Sequence, residues 1–300
     1  MYSFYDRLFE EEHSTKSIKV NSISSAYRSA LKTIIYNGTN FNDERGDKMR
    51  VFYNLSITIS NPLENLEELE EMNKKGSIPY NREFLDNYAN QLIYGTSNPK
   101  FKEVKYTLSK NGLLYRILNH IDFLKKWLSN SSLINKIILV QDVRPLPDED
   151  LGFVYTYFER LRKRWSRLAK VTFQSFENDK IVDSEKMDQI EEVIRLLIKS
   201  PTTRRAVATT WIPSIDLRSS EVPCLNWLKF YNTGVLNLSV VFRSHDVFGA
   251  YISNLYGLSR LLEYVSIRTG IEMGSLTVFS ADAHYNTLFE KDVFRIVEDV

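Results

Sequence analysis

The chain has 300 residues, 43% hydrophobic and 26% charged, with 39 basic side chains against 38 acidic ones. That is enough apolar material for a substantial core, while a net charge of +1 leaves no overall field to attract a nucleic-acid polymer or an anionic membrane, so any anion must be recognised locally. A single cysteine excludes an internal disulfide framework and fits a reducing cytoplasm; Met1 to Arg7 lacks a signal-peptide core, and no apolar run is long enough to span a bilayer.

Ser22 to Asn37 has the spacing of a helix, with Ile23, Ala26, Tyr27, Ala30, Leu31, Ile34 and Ile35 on one face and Gly38 as its stop. A polar loop over 40–48 carries Arg45 and leads into a strand over 51–59 that Pro62 closes. The acidic stretch 64–71 reads as a solvated helix face, and 82–94 as a helix ending at Gly95. Further elements are an amphipathic helix over 113–128, a short buried strand over 137–140 and a loop marked by Pro145 and Pro147. A helix over 184–199 takes Ser184 as its N-cap and ends before Pro201. Strands are expected over 206–211, 224–231 and 235–243, the last two joined through Asn232-Thr233-Gly234 with glycine where positive φ is favoured. A long helix over 249–268, stopped by Gly270, and a strand over 275–280 complete the chain. Without repeats, low-complexity tracts or a linker, residues 1–300 read as one α+β domain with a large sheet.

Cys224 follows Pro223 at the start of one of these strands. A lone thiol is most often a small buried hydrophobe. Cations beside a thiol favour its thiolate, the nucleophilic form, and Arg204, Arg205 and Arg243 are all close in sequence. Arginine forks with the Ser244 hydroxyl are also what a phosphate needs. Asn254 offers a donor and an acceptor on one amide, which matches the N3–H and O4 edge of uracil. There is no Walker A loop, G-x-G-x-x-G, paired-cysteine zinc site or H-E-x-x-H, and the histidines at 13, 120, 245 and 284 are too dispersed for a metal site. His245 reads equally well as a loop residue or a catalytic one.

The run Arg204 to Trp211, Pro223-Cys224, Phe242 to Phe248 and Asn254 resembles the thymidylate synthases, above all their shorter archaeal-type members. The resemblance is clear from about 188 to 284, weaker over 43–47 and 155–157, and absent from about 97 to 150, which stands as an unplaced insertion. It implies a large mixed β-sheet packed with helices and a homodimer joined sheet to sheet, with shared active sites. The implied activity is methyl transfer to C5 of dUMP from 5,10-methylenetetrahydrofolate or a tetrahydromethanopterin analogue. Cys224 would add to C6, with Tyr157 in the proton network near C5 and Asp246 ordering the base-side network and the pterin. Arg45, Arg243 and Ser244 would hold the phosphate together with Arg204 and Arg205 of the opposite subunit, Asn254 would read the base, and His284 would contact the deoxyribose 3′-hydroxyl. Departures from the family pattern bear on activity. Tyr88 stands where the catalytic glutamate is expected, with Glu83 and Asp86 nearby, and Phe158 replaces a glycine after Tyr157. Asn286 stands in place of a tyrosine, with Tyr285 adjacent, so sugar recognition is expected to be altered or served by that shifted tyrosine. The chain ends at Val300, so the segment that closes over the folate in longer members is expected to be missing. Two other readings stay open: a pyrimidine-nucleotide hydroxymethylase, and a nucleotide-binding relative that lost the proton machinery, against which the retained thiol argues.

Overall fold

A computed structural model describes residues 15–95, 156–162, 188–219 and 222–298. The elements expected over 113–147, and Ser184, lie outside them. In chain order the described elements are β1 (Lys16–Val20), α1 (Ile23–Asn37), β2 (Thr39–Asn42), β3 (Lys48–Ile59), α2 (Glu67–Lys74), α3 (Arg82–Tyr94), α4 (Tyr157–Arg162) and α5 (Gln189–Lys199). Then come β4 (Val207–Thr209), a helical turn at Pro213–Asp216, β5 (Leu225–Asn232), β6 (Leu236–Phe242), β7 (His245–Asp246), α6 (Tyr251–Thr269), β8 (Met273–Asn286) and, after a 3-10 turn, α7 (Glu290–Glu298).

The strands form one mixed sheet in the order β1-β3-β8-β6-β5-β4, with β2 paired to β3 and β7 to β8. Alternate residues supply its inner face: Leu55, Ile57 and Ile59 on β3, Leu228 and Phe230 on β5, Leu238, Val240 and Phe242 on β6, and Leu276 and Val278 on β8 are at most 1% exposed. Helices α1 and α6 lie against the sheet and α3 crosses α6, so these side chains join one core with Leu31, Ile34, Leu85, Leu92, Leu255 and Leu262. Burying each such side chain contributes about 1.5–3 kcal/mol relative to exposure.

Local signals account for most element ends. Ser22 caps α1 through its hydroxyl and Asn81 caps α3, accepting from Phe84 N at 2.8 Å. Gly270, at φ 71°, stops α6. Asn232 folds the β5–β6 hairpin by accepting from Gly234 N at 2.8 Å, with Gly234 at φ 101°. Three expectations are corrected. Helix α5 begins at Gln189 and its N-cap is Asp188, whose Oδ1 accepts from both Ile190 N and Glu191 N at 3.1 Å, rather than Ser184. The strand expected over 206–211 is only Val207–Thr209. Strand β8 runs on to Asn286 because β3 pairs with it as far as Met49↔Asn286, so His284 lies inside a strand and not after one.

A kink in that pairing positions the site. Asn54 adopts φ 58°, a left-handed conformation that asparagine tolerates, and the β3–β8 ladder skips it. On β8 the buried set shifts from Ser280 on one side of the kink to Ala283 and Tyr285 on the other. Asp282, His284 and Asn286 therefore face outward. Tyr285 faces the core with no exposure and its hydroxyl has no hydrogen-bond partner among the described residues. It cannot serve as the shifted sugar-binding tyrosine.

Candidate active site

Strand register gathers the polar residues at one end of the sheet. Leu225 opens β5 opposite Phe242, the last residue of β6, and Phe242 pairs in turn with Ser280 of β8. On β8's other flank Val51 pairs with His284, and the short β7 adds Asp246 beside the same histidine. Cys224, Arg243, Ser244, Asp246 and His284 are thus neighbours, and the exposed turn carrying Arg45 sits just before β3 at that end. Asp43 Oδ1 folds this turn, accepting from Arg45 N at 2.9 Å and Asp47 N at 2.8 Å.

Arg243 is the hub. Its backbone N–H donates to Cys224 O at 2.9 Å, its Nε to Pro223 O and its Nη2 to Val222 O, each at 3.0 Å. The two carbonyls fix the guanidinium so that Nη2 lies 3.9 Å from Cys224 Sγ. The thiol is partly exposed rather than buried. Behind it, Leu225 N donates to the Tyr157 hydroxyl at 3.2 Å, tying α4 to the start of β5. Phe158, a bulky residue where the family has glycine, is accommodated by Gly95: a Cβ there would fall 2.6 Å from the Phe158 ring.

His284 Nδ1 donates to Asp282 Oδ1 at 2.8 Å and lies 3.5 Å from Ser244 Oγ. Burial alone would push this imidazole down, but the hydrogen bond and charge of Asp282, with Asp246 behind them, outweigh it and the net shift is upward. Asp246 Oδ1 accepts from Gly249 N at 2.9 Å while the residue stays exposed.

Asn254, in the first turn of α6, is only 7% exposed. Its Oδ1 accepts from the Tyr88 hydroxyl at 2.6 Å, and its Nδ2 lies 3.2 Å from His245 Nε2. Tyr88 reaches it because Gly257, one helical turn on, has no side chain: a Cβ there would stand 2.8 Å from the tyrosine ring. His245 is neither a loop residue nor solvated. It is 1% exposed on β7, stacked on Phe242 at 3.8 Å, with Nδ1 at 2.9 Å from Ser280 Oγ. Burial, helped by the charge of His284, holds its pKa down at about 3, so the ring is neutral. Nothing in the local sequence signals that Tyr88 and His245 attend Asn254. Tyr88 stood out only as a departure from the family pattern.

Arg204 and Arg205 are exposed and stand apart from this cluster. Ala206 O accepts from Phe230 N, so the arginines lie beside the far end of β5. Six steps along the chain separate Phe230 from Cys224, about 20 Å at the usual strand rise. Within one chain the pair and the thiol do not meet.

A mixed sheet with helices on its inner face outlines an α+β protein that carries a partly exposed thiol beside an arginine at one end of the sheet. Similarity to other proteins narrows this. A family model described as Thymidylate synthase matches residues 100–294. A protein of Methanosarcina acetivorans named "Putative thymidylate synthase" is 34% identical over 268 residues, 89% of this chain and 88% of its own length. One of Methanococcoides burtonii with the same name is also 34% identical over the same shares of each chain, and one of Methanothermobacter thermautotrophicus is 25% identical over 94% of this chain and 98% of its own length. The chain belongs to the thymidylate synthase family. No helix among the described residues is long and apolar enough to cross a membrane.

Proposed function

We propose that this protein transfers a one-carbon unit to C5 of dUMP, and that the clamp of Arg243 on the Cys224 loop is the observation that carries the reading. The fixed cation beside Sγ favours the thiolate. That thiolate adds to C6 of the pyrimidine, forming the S–C6 bond, and the electron pair of the C5–C6 double bond moves onto C5 and O4 as an enolate. C5 is then nucleophilic; once it carries the carbon, loss of the C5 proton would supply the pair that breaks that carbon's bond to its carrier, and hydride reaching the same carbon would restore the C5–C6 double bond as the sulfur leaves with the electron pair of the S–C6 bond. Arg243, Ser244 and Arg45 bind the phosphate, His284 meets the sugar, and Asn254 answers the base.

The exposed Asp246 carboxylate at the same end of the sheet fits a reduced pterin, whose ring is rich in N–H donors. When bound, methylenetetrahydrofolate or a tetrahydromethanopterin analogue supplies the carbon and the hydride that reduces it. Asp246 orients the ring, and Tyr157, at the N–H of Leu225, holds a hydroxyl close to the reacting carbons.

Two features support a homodimer with shared sites. The outer face of the sheet carries rows that cross four strands, Trp227–Val241–Phe279–Ser56 and Lys229–Ser239–Thr277–Thr58, all only partly buried in the single chain. A second copy laid on that face would cover them. It would also give Arg204 and Arg205, stranded at the far end of β5, a partner's phosphate to bind.

The decisive experiment is incubation with dUMP carrying tritium at C5, with and without the reduced pterin. Tritium release with formation of dTMP is expected. A hydroxymethylated product would favour hydroxymethyl transfer. Binding without any release would favour a non-catalytic relative, the reading that Tyr88 supports by serving Asn254 where a catalytic carboxylate is expected.

Base recognition supplies a separate prediction. Affinity for dUMP is expected to exceed that for dCMP by roughly ten- to hundredfold, the factor for one mismatched buried polar pair worth about 1–3 kcal/mol. Asn254→Asp should narrow or reverse it, because a carboxylate only accepts and would face O4 of uracil with a negative charge. Calorimetric titration of both nucleotides decides the matter; equal affinities untouched by the substitution would remove Asn254 from base reading.

A further inference from the structure

Four polar groups from four elements run head to tail through Asn254. The Tyr88 hydroxyl of α3 is 2.6 Å from Asn254 Oδ1, Asn254 Nδ2 is 3.2 Å from His245 Nε2, and His245 Nδ1 is 2.9 Å from Ser280 Oγ on β8. Asn254, His245 and Ser280 are 7%, 1% and 1% exposed, so solvent has little part in the arrangement. In such a chain every group must donate in the same sense. An amide that accepts from Tyr88 must donate to His245, whose Nε2 is then bare and whose Nδ1 carries the proton to Ser280. One alternative keeps all three bonds: every donor becomes an acceptor, and the amide turns over.

The two hydroxyls decide between the two senses. A phenol is a stronger donor and a weaker acceptor than an aliphatic hydroxyl, because the ring withdraws the oxygen lone pair. The favoured sense therefore runs from Tyr88 towards Ser280, with the phenol donating to Asn254. It requires an uncharged imidazole, since a doubly protonated ring could not accept from Asn254, and the deep burial of His245 supplies that. Gly257 completes the device by letting the phenol approach the helix.

We infer that Tyr88, His245 and Ser280 are positioning residues that determine base specificity, holding the Asn254 amide in the single orientation that answers a uracil edge and refuses a cytosine edge. The inference rests on the pyrimidine-nucleotide reading above. Under it, Tyr88 has exchanged the acid–base part expected at its place in the family for one in recognition.

Two measurements on the full chain test it. Nitrogen-15 spectra of histidine-labelled protein should show His245 protonated at Nδ1 and bare at Nε2; the opposite tautomer in the unmodified protein would overturn the assignment, whatever the variants do. Calorimetry with dUMP, dCMP and inorganic phosphate should show the dUMP-to-dCMP affinity ratio falling about tenfold in Tyr88→Phe and in Ser280→Ala, as expected for loss of one buried bond. Affinity for inorganic phosphate should not change. Nucleotide binding with the ratio unchanged in both variants sinks this inference alone. Failure of the unmodified protein to bind either nucleotide better than phosphate sinks the pyrimidine reading together with it.

Discussion

Cys224→Ser is expected to abolish exchange of tritium at C5 of dUMP while leaving binding of the nucleotide nearly intact. A free thiol ionises at about 8.5, within reach of a neighbouring guanidinium's help, whereas a serine hydroxyl stays protonated in the same field and is a harder, more basic nucleophile. Arg243 Nη2, at 3.9 Å from the sulfur, is the group placed to give that help. Loss of the nucleophile in an enzyme built on covalent addition is worth on the order of a thousandfold or more. Binding survives because Arg243 is held by the carbonyls of Val222 and Pro223, neither of which changes. Exchange at the unmodified rate in the serine variant would falsify the assignment of the nucleophile.

The second large effect is a recovery. Arg205→Ala and Cys224→Ala subunits are each expected to be inactive alone, and to regain activity when mixed and allowed to exchange partners. In a mixed dimer one site joins the intact cysteine of one chain to the intact arginine of the other. Statistical pairing makes half the dimers mixed, with one competent site in two, so activity should reach about a quarter of that of unmodified protein. Were each site built from a single chain, no mixture could contain a complete one. The recovered fraction, measured once exchange of subunits is verified by mass, therefore separates the two arrangements.

Much of the fold was legible because its signals are local. Helices α1 and α3 announce themselves by period and caps, and the β5–β6 hairpin by Asn232-Thr233-Gly234; each was expected within a few residues of where it stands. Long-range pairing was not legible. The extension of β8 to Asn286 depends on β3, more than two hundred residues earlier, and the outward turn of His284 depends on the kink at Asn54. Ser184 was a plausible cap by type, yet Asp188 does the capping with a carboxylate that accepts two backbone N–H groups at once. In the site, the proximity of Cys224 and Arg243 followed from two strands expected to be neighbours. The company kept by Asn254 did not: Tyr88 lies 166 positions away, and His245, nine positions before it, reads in the sequence equally well as a loop residue or a catalytic one, with no sign that the sheet buries it.

The close approach of Tyr88 to Gly257 ties two distant positions into one choice of size. Any side chain at 257 must displace the phenol ring, which would part its hydroxyl from Asn254 as well as disturb the packing of α3 on α6. Among descendants of this chain, an alanine at 257 should then be found only where 88 has become smaller, and a tyrosine at 88 only over glycine. The two positions would drift together or not at all, coupled through residue volume rather than through polar chemistry.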